Sequence, residues 1–256
     1  MEGPRVMLKA SPRRLAVIGL VTVIIAAFPA AASASHSWGS YHWARTSNPF
    51  TLKVVDSATQ AWDSYLVTSI GDWSASSVLN LTRVEGSVAK GKTCKTFSGR
   101  VNVCNSKYGN NGWLGVASIW AQGEHITQGT VKLNDTYFNT PSYNTPAWRN
   151  MVMCQEIGHI FGLDHQDENF GNANLGTCMD YTNNPSSNQA PNAHDYEQLE
   201  AIYSHLDSTT TVDQSAAAAS TPPGWGRMIR DNGHGALFAH DLGNGMVVFS
   251  FVIWAR

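Results

Sequence analysis

Hydrophobic and polar positions along this chain follow two periods. Phe50, Leu52 and Val54 alternate with more polar neighbours through Val55, the repeat of a half-buried strand. Between Ser57 and Ser76, Trp62, Leu66, Ile70 and Trp73 recur at intervals of four and three, which predicts an amphipathic helix. Val78, Leu79, Leu81 and Val84 then predict a second strand. Strand, helix, strand in this order is a crossover unit and implies a parallel pair. Farther on, two apolar runs separated by a turn occupy residues 112–138. Thr145 and Pro146 make a helix start, threonine capping and proline at the first helical position, and Trp148, Met151 and Val152 give that helix an inward face. A capped helix begins at Asn192, with Tyr196, Leu199, Ile202, Tyr203 and Leu206 as its apolar face. Ala236 to His240 and Met246 to Trp254 flank Gly243-Asn244-Gly245, a hairpin turn. A lone hairpin is marginal in water, so this one is expected to pack on the main domain or on a partner.

The polar residues set the domain plan. Residues 1–34 read as a signal peptide: Arg5, Lys9, Arg13 and Arg14, then the apolar run from Leu15 to Phe28, then Ala32-Ser33-Ala34 as a cleavage site. The alternative is an uncleaved anchor. Residues 35–207 form the main domain, the Ser, Thr, Ala and Pro-rich 208–223 a linker, and 224–256 a C-terminal hairpin extension. A chain of 256 residues with 43% hydrophobic residues buries one sizeable core. A net charge of -2 gives no reason to expect nucleic acid or an anionic membrane as partner, and only 14% of residues are charged. An exported, extracellular protein is expected, with no membrane association after signal cleavage.

Candidate chemistry concentrates in Cys154-Gln-Glu-Ile-Gly-His-Ile-Phe-Gly-Leu-Asp-His165. Gln155 and His159 lie one helical turn apart, so their side chains share a face at chelating distance. Glu156 sits about 100° round the helix, placed to polarise water beside a metal held there. Gly162 can take the left-handed conformation that ends a helix, after which His165 can return to the same point.

This stretch resembles the extended zinc-binding motif of the metzincin metalloendopeptidases, the matrixin-like branch in particular. Glu156, His159, Gly162 and His165 stand at matching positions, whereas Gln155 replaces the first histidine. Cys178-Met179-Asp180-Tyr181 is similar to the Met-turn beneath the metal, with Met179 as its methionine and Tyr181 at the place of a metal-side tyrosine. The resemblance implies an α+β zincin-like domain: a twisted, mostly parallel sheet with an antiparallel edge strand, an active-site helix, a Met-turn and a C-terminal helix. It implies Zn2+ held by His159, His165 and Gln155, Glu156 as the base and Tyr181 as oxyanion stabiliser. Leu114, Gly115, Val116, Ala117 and Ser118 would form an edge strand that binds extended peptide by β-augmentation, with an ordinary edge strand as the alternative. Many matrixins carry a propeptide whose cysteine blocks the zinc; no cysteine precedes Cys94 here, so restraint is expected from a separate inhibitor.

A four-ligand zinc site is worth about 10–16 kcal/mol, so losing one good ligand costs about a hundredfold in affinity. Three readings follow: a peptidase with a Gln/His/His site acting on peptide or protein substrates, a metal-binding but nearly inactive relative, and a metal-free scaffold; the rival from another class is a catalytically silent peptide- or protein-binding module that keeps the cleft and edge strand. Four cysteines in an exported chain predict two disulfides, expected as Cys94–Cys104 and Cys154–Cys178 out of three connectivities. Asp167, Glu168 and Asn169 offer oxygens for Ca2+, a solvated loop being the alternative. His125 reads as a surface histidine, with metal ligation as its alternative, while His194 and His205 invite no functional reading. The oligomeric state is open.

Overall fold

A computed structural model describes residues 1–3 and 35–255, so the signal-peptide expectation at 1–34 lies, but for its first three residues, outside the described residues. The order begins with β1 (His42–Trp43), β2 (Phe50–Ser57), α1 (Asp63–Trp73), β3 (Leu79–Glu85), β4 (Arg100–Ser106), β5 (Trp113–Gln122) and β6 (His125–Asn134). It continues with α2 (Asp135–Phe138), α3 (Pro146–His159), α4 (Ala193–Ile202), β7 (Arg227–Asp231), β8 (Gly235–Gly243) and β9 (Met246–Trp254). The strands form one sheet in the order β3-β2-β4-β6-β5-β9-β8-β7, with β1 beside β6.

The expected crossover is present: β2 pairs in parallel with β3, and α1 lies between them in sequence. Leu52 and Val54 of β2 point into a core with Trp62, Leu66 and Trp73 from the helix side. The mostly parallel sheet is corrected to an evenly mixed one. Four pairings are parallel and four antiparallel, because the C-terminal strands extend the sheet as hairpins, and hairpins run antiparallel.

The same strands correct the edge. β5 is antiparallel to β6, as expected, but its other side pairs with β9 from Trp113↔Trp254 to Gln122↔Met246. β9 wins that place because it alternates along its whole length, with Phe249, Phe251 and Ile253 entering the main core and Val252 packing with Trp113 and Val116 on the other face. The stretch 208–223 is tied down between: Thr211 N–H donates to Ala44, Asp213 N–H to Gly99, and Trp120 Nε1 to Ser220.

α3 starts as its sequence predicts, with Thr145 Oγ1 accepting from the Trp148 N–H at 3.3 Å and Pro146 in the first turn. Gly162 ends the following turn at φ +93°, and a Cβ there would lie 2.1 Å from the Tyr41 carbonyl oxygen. α4 carries a capping box between Asn192 and Asp195, but it ends at Ile202, leaving Leu206 exposed rather than on the apolar face. Among the described residues no helix is long and apolar enough to cross a membrane.

Candidate active site

α3 is buried along its last three turns, and it delivers Gln155, Glu156 and His159 into the interior. The loop after Gly162 folds back onto the Met-turn. There the Gln166 N–H donates to Met179 O at 2.6 Å and the Tyr181 N–H to Asp167 O at 3.0 Å, so His165 is carried on a short parallel ladder. Met179 packs beneath α3 at Gly158, where a Cβ would lie 2.6 Å from its sulfur. Cys154 and Cys178 are bridged with Cα atoms 5.9 Å apart, and Cys94 and Cys104 with theirs 5.7 Å apart, the expected connectivity. The first of these fastens α3 to the Met-turn.

His159 and His165 meet with their Nε2 atoms 3.1 Å apart and their rings nearly perpendicular, at 84°. One shared proton or one shared divalent cation fills such a gap. Each ring is oriented from its far side. His159 Nδ1 donates to Leu163 O at 2.9 Å, which leaves Nε2 with its lone pair. His165 Nδ1 lies 3.3 Å from Glu168 and 3.4 Å from Asp164. Burial, helped by the neighbouring His165, pushes His159 down to about 3. Burial also works to lower His165, but its hydrogen bonds to Asp164 and Glu168 outweigh that and raise it.

Gln155 is fully buried and its Nε2 donates to Cys178 O at 2.9 Å. Its Oε1 has no hydrogen-bond partner, and neither does Glu156 Oε2. Two orphaned buried acceptors on the helix that carries His159 demand a partner, and a cation with an N, N, O donor set supplies one for the carboxamide. Two imidazoles and a carboxamide oxygen are donor types that zinc accepts, the carboxamide more weakly than imidazole. Burial pushes the Glu156 carboxyl well above the usual carboxylate range, opposed by a hydrogen bond from the Ala117 N–H. Glu156 fits against β5 only because Gly115 has no side chain: a Cβ there would lie 2.6 Å from Oε1. Tyr181 stacks on His165 at 4.0 Å. Burial first, then the charges of Glu168 and Glu156, raise it well above an ordinary phenol, so it remains a donor.

The structure therefore brings His159, His165 and Tyr181 together, with Gln155 and Glu156 buried on the helix that carries His159 and Met179 beneath it, and it removes Leu114–Ser118 from the surface. Ala117 faces Phe251 across the β5–β9 ladder, and the Phe251 ring stacks on His159 at 4.2 Å with 8° between planes. A Cβ on Gly235 of β8 would lie 1.6 Å from the Tyr181 hydroxyl oxygen. Arg230 of β7 grips Asp164 with both guanidinium nitrogens at 3.0 and 2.7 Å and reaches Glu168 at 3.0 Å. Arg230, Phe251 and Gly235 were not among the residues the sequence singled out, because nothing local to them signals where they dock. The oxygens expected for Ca2+ are spent elsewhere. Asp167 accepts from the Asn169 N–H and the Asn172 amide, and Glu168 accepts from His165, Arg230 and Asn232.

No family model and no curated protein matches this chain. Among solved structures it is similar to high choriolytic enzyme 1, a hatching enzyme zinc-protease from Oryzias latipes (Medaka fish), with 10% identity and a TM-score of 0.38 over 64% of this chain and 95% of that one. At that distance the likeness decides nothing about function, which has to be judged from the side chains.

Proposed function

We propose that this chain is an extracellular zinc-dependent endopeptidase of the metzincin type whose own C-terminal strands cover its substrate site. The observation that carries this is the pair of imidazole Nε2 atoms 3.1 Å apart, on the same short stretch as two buried oxygens that have no partner. His159, His165 and Gln155 would hold the metal, and zinc bound there supplies a Lewis acid that polarises the scissile carbonyl and acidifies water. Glu156 takes the proton of the attacking water and hands it to the leaving amine, a transfer suited to a carboxyl whose proton affinity burial has raised. Tyr181 donates to the carbonyl oxygen as negative charge develops. A cavity of about 210 Å³, lined by Tyr143, Trp148, Phe170, His234, Ile253 and Trp254 among others, lies against the ring that stacks on Tyr181 and suits an apolar substrate side chain. Two disulfides fit an oxidising, extracellular compartment.

A substrate strand would pair with β5, the strand that β9 now occupies. Restraint by a separate inhibitor, expected from the sequence, thus gives way to restraint within the chain. A second reading, a catalytically silent relative, is favoured by the Gln155 bond to Cys178 and by that complete β5–β9 ladder.

Peptide hydrolysis by the full zinc-loaded chain separates the two, measured for the unaltered protein, Glu156→Ala, Gln155→His and Arg230→Ala. Activity that rises in Arg230→Ala and vanishes when Glu156→Ala is added supports the self-covered peptidase. Activity confined to Gln155→His supports the silent relative, and none in any form sinks the peptidase reading.

A further inference from the structure

Outside the site just described, three segments remote in sequence bring imidazoles to one carboxylate. His42 lies on β1, His125 opens β6, and His205 and Asp207 follow α4. His42 Nε2 is 3.3 Å from Asp207 Oδ1 and 3.2 Å from His205 Nε2, and His205 Nε2 is 3.8 Å from that same oxygen. His125 Nε2 approaches Oδ1 at 3.3 Å. Four tetrahedral donors about 2.0–2.1 Å from a zinc ion stand about 3.3–3.4 Å from one another. Among His42, His205 and Asp207, two of the three separations fall within about 0.2 Å of that value.

The arrangement is also oriented as a ligand set. His42 Nδ1 donates to Ser40 O at 2.7 Å, which leaves Nε2 as the lone-pair nitrogen. Asp207 gives its other oxygen to the Arg45 backbone N–H at 3.1 Å and to Arg45 Nη1 at 2.9 Å, so Oδ1 is the oxygen turned to the histidines. The backbone holds the two sides together, with the Asp207 N–H donating to Arg45 O and the Thr211 N–H to Ala44 O. A cavity of about 340 Å³ lined by Ser40, His42, Glu124 and His205, among others, opens beside the cluster, giving an ion a way in.

We infer that His42, His205 and Asp207 form a second, structural site for a zinc-type divalent cation. The ion pins the segment before β2 to the segment after α4. Facing Nε2 atoms at 3.2 Å are otherwise held by a single proton, whereas a divalent cation uses both lone pairs and the carboxylate charge at once.

The test uses the full chain, stripped with a chelator and titrated with Zn2+ alone by equilibrium dialysis, as unaltered protein, His159→Ala and His205→Ala. Co2+ is added in a parallel series, since its visible absorption reports tetrahedral coordination. The His205 side chain is 52% exposed, so its replacement leaves the fold intact, which circular dichroism checks. His125→Ala, with a side chain 40% exposed, is the control beside the ligand set. The expected result is one metal equivalent that persists in His159→Ala and whose affinity falls about a hundredfold in His205→Ala. Zinc raises the melting temperature of His159→Ala, and adding His205→Ala to that variant removes the rise. Zinc affinity and Co2+ absorption unchanged by His205→Ala overturn the second site, as does a folded His159→Ala protein that binds no metal. The peptidase reading fails separately, through His159 and Glu156, which this cluster does not touch.

Discussion

The two histidine clusters are built on opposite principles. His159 and His165 lie in the interior, under the ring of Phe251; Leu163 O orients the first, and the second is oriented by Asp164 and Glu168, which Arg230 of the C-terminal strands grips. His42, His125, His205 and Asp207 sit at the rim of the fold, oriented mostly by backbone groups and by Arg45. A ligand set that depends on a removable cover suits chemistry that must be exposed on demand, whereas one fixed by backbone suits an ion that stays. The difference lies in which groups hold the imidazoles, not in the imidazoles.

The largest expected effect falls on the interior cluster alone. Glu156→Gln should lower peptide hydrolysis by an uncovered form about 10²- to 10⁴-fold while leaving zinc content at both clusters unchanged. Steady-state assays beside metal analysis check this, and metal loss would assign Glu156 a ligand role. Phe251→Ala should destabilise the fold by about 3–5 kcal/mol through the cavity it leaves. It should also make zinc exchange faster at the interior cluster and leave the rim untouched, which isotope exchange with His205→Ala as the reference can resolve. Replacing Cys154 and Cys178 with serine opens a loop whose ends are 24 residues apart and should cost about 3 kcal/mol. Denaturant unfolding measures that loss, and zinc affinity should fall at His159 and not at His205. The smallest effect, about 1 kcal/mol, is expected for Thr145→Ala at the start of α3. Both clusters should then keep their zinc, so a loss at the interior one would show that its geometry depends on the far end of that helix.

Much of the interior cluster was legible because its information is local. The cap at Thr145, the one-turn spacing of Gln155 and His159 and the glycine that turns the chain back to His165 all lie within one 21-residue stretch. The crossover through α1 was legible for the same reason, as was the cysteine pairing, which had three alternatives. The destination of β9 was not: alternation in Met246–Trp254 predicts a strand but says nothing of which strand it joins, and β5 lies more than a hundred residues away. β4 was not among the predicted elements, although Val101 and Val103 are buried in the sheet. The rim cluster escaped because His42 and Asp207 are 165 positions apart, and a single histidine carries no spacing.

The added strands also move the border of the sheet. With β9, β8 and β7 in place, the terminal strand on that side is β7, five residues long, with Arg227 at its start, Arg230 within it and an irregular register between Met228 and Arg230. A short, charged, kinked border resists pairing with another molecule. Were the last strands to swing away, ten residues of β5 rich in valine, isoleucine and tryptophan would become a template for intermolecular pairing. Uncovering the interior would thus carry a hazard of its own, and the uncovered protein should gel or aggregate at concentrations where the covered one stays clear.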